Sequence, residues 1–141
     1  MGATADSASA ESKLTGEILL VPIPSSSRAN RKRGYRHSYL LVRELAKELS
    51  RATALKVVAS ELLQTNRKIA DQSALNRQER LVNMHGAYSL VAGASRQRFQ
   101  GNRLYLVDDL VTSGSSLREG LRALRSGGFS PTGVLLAGVS T

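Results

Sequence analysis

Hydrophobic positions along this 141-residue chain fall into short runs divided by polar, basic stretches, and their period changes from one run to the next. Ile18-Leu-Leu-Val21 is a continuous apolar run of the kind found in strands covered on both faces, within an expected strand over residues 17–23. Pro22 and Pro24 stop it, since neither can donate a ladder hydrogen bond. Over residues 36–51 the period becomes helical: Leu41, Leu45 and Leu49, with Val42 and Ala46 beside them, share one face, while Arg43, Lys47 and Glu48 fall elsewhere. A second strand is expected within residues 54–63, centred on 55–59, and the polar, basic residues 64–75 read as a loop of the length found in functional lids or disordered segments. Asn76 and Glu79 have the spacing of a reciprocal helix cap, which predicts a short helix over Arg77–Met84. Residues 85–91 suggest another short strand.

After a basic turn at residues 93–103, Leu104 to Val107 form a β-favouring apolar run that ends in two adjacent carboxylates, Asp108 and Asp109. A turn of small residues follows. Leu117, Leu121 and Leu124 then mark the expected buried face of a helix, with Arg118, Arg122 and Arg125 on another face, read as solvated by default. Gly127-Gly128 ends that helix, and residues 132–139 supply a last apolar strand. Strand, helix and strand at this spacing favour parallel pairing. The pattern predicts a three-layer α/β domain with a mainly parallel sheet over residues 17–141, preceded by a flexible tail at residues 1–16 that is rich in Ala, Ser and Thr.

Composition narrows the classes. Twenty Lys and Arg against eleven Asp and Glu give a formal charge of +9, which suits an anionic small molecule or nucleic acid. Cysteine is absent, so disulfides and thiolate metal sites are excluded and a reducing compartment is compatible. No apolar run approaches the roughly 20 residues that span a bilayer, and no signal-peptide core is evident; a cytoplasmic protein without a membrane partner is expected. His37 and His85 are isolated imidazoles without metal-ligand spacing.

The candidate chemistry sits after the Leu104 strand. Residues just beyond the carboxyl end of a parallel strand project into the crevice where α/β sheets bind ligands. Thr112, Ser113, Gly114, Ser115 and Ser116 combine hydroxyls, backbone N–H groups and a residue without a Cβ at the start of a helix, whose dipole favours an anion. A phosphate fits there. The structural alternative is a capping box of Ser116 with Glu119 beside solvated aspartates. A nucleotide P-loop, a dinucleotide glycine motif and a nucleophile elbow all fail on spacing. A second candidate lies after the first strand, where Ser25, Ser26, Arg28, Arg31, Lys32 and Arg33 could receive a pyrophosphate, against the plainer reading of a solvated basic loop.

The stretch from Leu104 to Leu117 resembles the phosphoribosyl-pyrophosphate (PRPP) motif of type I phosphoribosyltransferases: a hydrophobic strand, an acidic pair, two apolar positions and a Thr/Ser/Gly phosphate loop. More broadly, Val21-Pro-Ile-Pro24, Arg33-Gly-Tyr35, Gln72-Ser73, Leu75, Arg77-Gln-Glu-Arg80, Asn83 and Gly86-Ala-Tyr88 are similar to blocks of the competence-associated ComF family, so that the resemblance runs from about residue 19 to 138. It implies a type I phosphoribosyltransferase fold. It also implies transfer of ribose 5-phosphate from PRPP to an unidentified acceptor with release of pyrophosphate, linked to DNA uptake or nucleotide salvage. Asp108 and Asp109 would contact the ribose hydroxyls and hold Mg²⁺, directly or through water, and residues 112–116 would cradle the 5′-phosphate. Arg28, Arg31 and Arg33, with Ser25 and Ser26, would take the pyrophosphate, and Arg67 and Gln72 would close over the site. A homodimer is expected by analogy. Two departures stand out: Arg36-His37 replace the Asn-Gln usual after Arg-Gly-Phe, and the cysteine-rich zinc module that commonly precedes this domain is missing. The alternative is a non-catalytic module for PRPP, nucleotide or single-stranded DNA, against which stands the scarcity of aromatic residues for base stacking.

Overall fold

The computed structural model describes residues 17–24, 37–66, 76–94, 99, 101–108 and 114–136. The Ile18–Pro22 run forms β1, followed by α1 (His37–Thr53) and β2 (Val57–Ala59). Next come β3 (Leu63–Thr65), α2 (Arg77–Met84), β4 (Tyr88–Leu90), β5 (Arg103–Asp108), α3 (Ser115–Ser126) and β6 (Gly133–Leu136). Four strands make a parallel sheet in the order β2-β1-β5-β6, and β3 and β4 form a separate antiparallel pair.

Alternation along the central strands separates the layers. Leu20 and Val107 point to one face together with Val57 of β2, where Val42 and Ala46 of α1 cover them. Leu19, Val21, Leu104 and Leu106 point to the other, where they meet Ala123 and Leu124 of α3, Met84 of α2 and Tyr88 of β4. Helices therefore lie on both faces of a parallel sheet, the three-layer α/β architecture that the pattern predicts, in keeping with the type I phosphoribosyltransferase fold that the resemblance implies. Ser50 ties the end of α1 to β2, its hydroxyl donating to the Val57 carbonyl and accepting the Val57 N–H, both at 3.1 Å.

Local signals held where local forces decide. Asn76 and Glu79 do form the reciprocal cap: the Glu79 N–H donates to Asn76 Oδ1 at 2.9 Å and the Asn76 N–H to Glu79 Oε2 at 3.0 Å. Gly128, at φ 86°, closes α3, and the Phe129 N–H returns to the Leu124 carbonyl at 3.0 Å.

Four expectations change. The Gln64 end of the expected loop belongs to β3, which pairs with β4 rather than standing alone. On α1 the buried line is Val42 and Ala46, whereas Leu41 is exposed, because the helix meets the sheet one position further round than the leucine spacing implies. On α3 the buried residues are Ser115, Glu119, Gly120, Ala123 and Leu124, and Leu117 and Leu121 are half-buried at its margin. The strands β2 and β6 are also shorter than expected, and residues 137–139 of the latter expectation lie outside the described residues. Among the described residues, no helix is long and apolar enough to cross a membrane.

Candidate functional site

The strand order reverses direction between β1 and β5. The chain leaves β1 for α1 on one face and reaches β2 on one side, and it leaves β5 for α3 on the opposite face and reaches β6 on the other. At such a switch point the two crossovers part and leave a crevice at the carboxyl ends of the strands. Pro22 stands in register with Val107, and the Ile23 N–H donates to the Val107 carbonyl at 3.0 Å. The ends of β1 and β5 therefore lie side by side.

Asp108 is the last residue of β5, half-buried at this rim. Gly114 precedes α3 with φ 77° and ψ 1°, a left-handed conformation in which a Cβ is strained, and it makes no side-chain cap. Ser115 is buried and Ser116 half-buried in the first turn that follows. Of the sequence candidates, Asp108, Gly114, Ser115 and Ser116 are thus brought to one end of the sheet. Asp109, Thr112, Ser113, Ser25, Ser26, Arg28, Arg31, Arg33, Arg67 and Gln72 lie outside the described residues.

The capping-box alternative for Ser116 and Glu119 is overturned. Ser116 is already inside α3, and Glu119 turns inward, 4% exposed, to a tertiary partner. Its carboxylate accepts the Tyr88 N–H at 2.9 Å and Arg122 Nη2 at 2.9 Å, and Arg122 Nε bonds its other oxygen. The same Arg122 Nη2 donates to the Tyr88 carbonyl at 3.0 Å. The reason lies in the β3–β4 ladder: Asn66 N–H bonds Ala87 and Val91 N–H bonds Leu62, so the Thr65–Tyr88 pair between them is a non-hydrogen-bonded one. Tyr88 turns its N–H and carbonyl away from β3, and Glu119 and Arg122 satisfy them as a neighbouring strand would. Burial alone raises the Glu119 carboxyl, but the bonds from Arg122 and from the Tyr88 and Gly86 N–H groups outweigh it and hold the pKa below its ordinary 4.5.

Tyr88 carries this clamp into the crevice. It is 2% exposed, and its hydroxyl shares a hydrogen bond with the Ser116 side chain. Burial pushes the phenol up to about 12; the Ser116 bond works against this, and the negative charges of Asp108 and Glu119 add to it. Tyr88 is therefore a neutral phenol between Asp108 and the α3 N-terminus. Sequence reasoning assigned it no role. Its signal was present in the Gly86-Ala-Tyr88 block, but an apolar-flanked tyrosine reads as core until its strand is seen against Ser116.

Asn66, the last described residue before the candidates Arg67 and Gln72, donates its N–H to Ala87, the neighbour of Tyr88, at 2.7 Å. Other open grooves run beside α1, lined by Tyr39, Arg43 and Lys47, and over α3, lined by Arg118, Leu121 and Arg125; neither is lined by Asp108 or Ser116. Among the described residues no three His, Cys, Asp or Glu side chains gather into a metal cage.

No family model matches the chain. Part of it is similar to orotate phosphoribosyltransferases: 37% identical over 86 residues to that of Xylella fastidiosa strain Temecula1, covering 61% of this chain and 35% of the relative. The enzyme of Stenotrophomonas maltophilia is 36% identical over 86 residues, with the same shares of 61% and 35%. That of Xylella fastidiosa strain 9a5c is 38% identical over 64 residues, 45% of this chain and 27% of the relative. The matched stretch spans about a third or less of the length of these curated relatives. These partial similarities support a phosphoribosyltransferase-like domain.

Proposed function

We propose that the crevice between β1 and β5 binds PRPP and transfers its ribose 5-phosphate to an acceptor, releasing pyrophosphate. The observation that carries the reading is the placement of Asp108 and the Gly114–Ser116 turn at the topological switch point, at the end of the strand that bears the PRPP-like motif. The partial similarity to orotate phosphoribosyltransferases supports the same chemistry.

In this reading the 5′-phosphate rests on the N–H groups and hydroxyls of residues 112–116, where the α3 dipole favours an anion. Asp108 and Asp109 grip the ribose hydroxyls. As the bond from C1 of the sugar to pyrophosphate breaks and the acceptor bonds to C1, positive charge grows on the ring and negative charge on the leaving group. Arg28, Arg31 and Arg33, with Ser25 and Ser26, receive that negative charge, and Arg67 and Gln72 close over the site and exclude water. The donor set fits Mg²⁺, which is held through one or two carboxylates together with substrate oxygens rather than by an all-protein cage. Asp108 and Asp109 would hold it, and when bound it supplies neutralisation of the pyrophosphate. The acceptor is a nucleophilic base or amine, and orotate, named by the relatives, is the first to try. The ComF resemblance suggests that the reaction serves DNA uptake or nucleotide salvage in the cytoplasm.

Calorimetry with PRPP and Mg²⁺ tests the proposal on the parent and on Asp108→Asn/Asp109→Asn. Binding in the parent that the double change abolishes is expected. No heat with PRPP, together with salt-dependent affinity for single-stranded DNA, would replace the transferase reading with the binding-module one.

A further inference from the structure

We propose that the outer edge of β6 pairs with the same edge of a second copy of this chain, joining the two parallel sheets across a two-fold axis into one continuous sheet.

The two edges of the sheet, β2 and β6, are built differently. At the β2 edge the Ile18 N–H bonds the Lys56 carbonyl and the Ser60 N–H bonds the Leu20 carbonyl, both at 2.9 Å, so Lys56 and Ser60 face β1 and Val57 faces out. The N–H and carbonyl of Val57 are both taken by Ser50, and Lys56 stands next to it. That edge is closed by a side chain of α1 and flanked by a charge, as edges that avoid pairing are. At the β6 edge the Thr132 N–H bonds the Leu104 carbonyl at 2.7 Å, which turns the polar groups of Val134 and Leu136 toward β5 and those of Gly133 and Leu135 outward. Among the described residues nothing bonds these outward groups. No charge guards them either: residues 126–141 contain no Asp, Glu, Lys or Arg, in a chain that has twenty basic and eleven acidic residues. The flanking side chains are covered only in part, with Val134 and Leu135 half-buried and Leu136 45% exposed.

A second copy suits this edge on two counts. Chains of formal charge +9 repel one another wherever their basic faces meet, and a charge-free edge is where they approach at least cost. The edge is also its own complement. Antiparallel pairing centred on Val134 sets Gly133 opposite Leu135 of the second copy, so that the two residues exchange both their bonds and no outward group is left over. Thr132 then stands opposite Leu136 of the second copy on one face of the sheet. Strands this short bury little area, which places the contact among weak, concentration-dependent associations. The two crevices fall at opposite ends of the joined sheet, so the pairing does not depend on what they bind.

Sedimentation equilibrium of the full chain, at concentrations up to about 1 mM, tests the pairing. The parent should move from 15.2 kDa toward twice that mass, and hydrogen exchange of the Gly133 and Leu135 amides should slow as it does so. Thr132→Lys/Leu136→Lys, at two exposed positions, sets like charges opposite each other and should raise the dimer dissociation constant by about 10-fold or more. Thr132→Lys/Leu136→Glu sets opposite charges there and should stay within about 3-fold of the parent. Val82→Lys, on an exposed position of α2, adds a lysine away from the edge and should leave the constant unchanged. A parent that is monomeric throughout, or a dimer in which the Gly133 and Leu135 amides exchange as fast as in the monomer, would overturn the proposal. So would equal weakening by the Lys/Lys and Lys/Glu pairs, or a loss from Val82→Lys as large as that from the Lys/Lys pair.

Discussion

Replacing Glu119 with Gln separates the two roles of its carboxylate, accepting hydrogen bonds and carrying charge. Four donors converge on it: the N–H groups of Tyr88 and Gly86, and Nε and Nη2 of Arg122. An amide keeps one oxygen for the Tyr88 side but sets its NH₂ against the remaining donors, and the charge is lost. A bond to a charged group contributes about 1.5–3 kcal/mol, and a buried donor left unmade costs about 1–3. Arg122 is 39% exposed, so its guanidinium partly recovers with water and the lower half of these ranges applies. Glu119→Gln should therefore cost about 2–4 kcal/mol at neutral pH, which for a chain of this size lowers the unfolding midpoint by roughly 10 °C. Since the folded pKa lies below 4.5, the carboxylate's contribution is fully present above that value and is lost as pH falls through the folded pKa. The gap between parent and variant, followed by thermal denaturation monitored by circular dichroism, should narrow at progressively lower pH. A midpoint unchanged at neutral pH, or a gap that stays constant down to acid unfolding, would refute the clamp.

Tyr88 gives the opposite pH signature: its phenol stays neutral to about 12 when folded but titrates near 10 when unfolded, so stability held below pH 10 is lost on rising through that window. The loss amounts to about 2–3 kcal/mol, and urea denaturation in mildly and strongly alkaline buffer should show it in the parent and not in Tyr88→Phe. Gly120→Ala would place a Cβ 2.8 Å from Ile23 Cδ1 and 3.0 Å from Leu106 Cδ2. The overpacking costs about 1–3 kcal/mol against a helix-propensity gain of about 1, so a net loss is expected, and a more stable variant would show that α3 can lift from the sheet. Gly114→Ala meets no neighbour within 4 Å but must adopt φ 77°, so its denaturation midpoint should fall by the equivalent of about 1 kcal/mol from backbone strain alone.

Where a signal is local the sequence carried it. Ile18–Pro22, the Leu104 strand, the Asn76–Glu79 cap and the glycine end of α3 are each decided by residues within a turn of one another, and all four appear where expected. The place of Asp108 at the end of β5 and the start of α3 were legible for the same reason. β4 falls within the short strand expected over residues 85–91, but β3 and its pairing with β4 were not legible, because the two strands have three residues each and are separated by the whole of α2. Glu119 misled because a carboxylate three residues after a serine matches a capping box equally well whether it caps or not. The competing partner, the outward edge of Tyr88, is distant in sequence, and a buried ion pair against an open strand edge outweighs a solvent-exposed cap. The same tertiary partner draws Arg122 out of the solvated stripe, leaving Arg118 and Arg125 exposed.

By joining α3 to β4 through side chains rather than through packing alone, the chain makes a lever of the two. A displacement of the helix is passed through Glu119 and Arg122 to Tyr88, and from the adjoining Ala87 across one ladder bond to Asn66. The β3–β4 pair would thus follow any tilt of α3 without a change in the sheet beneath.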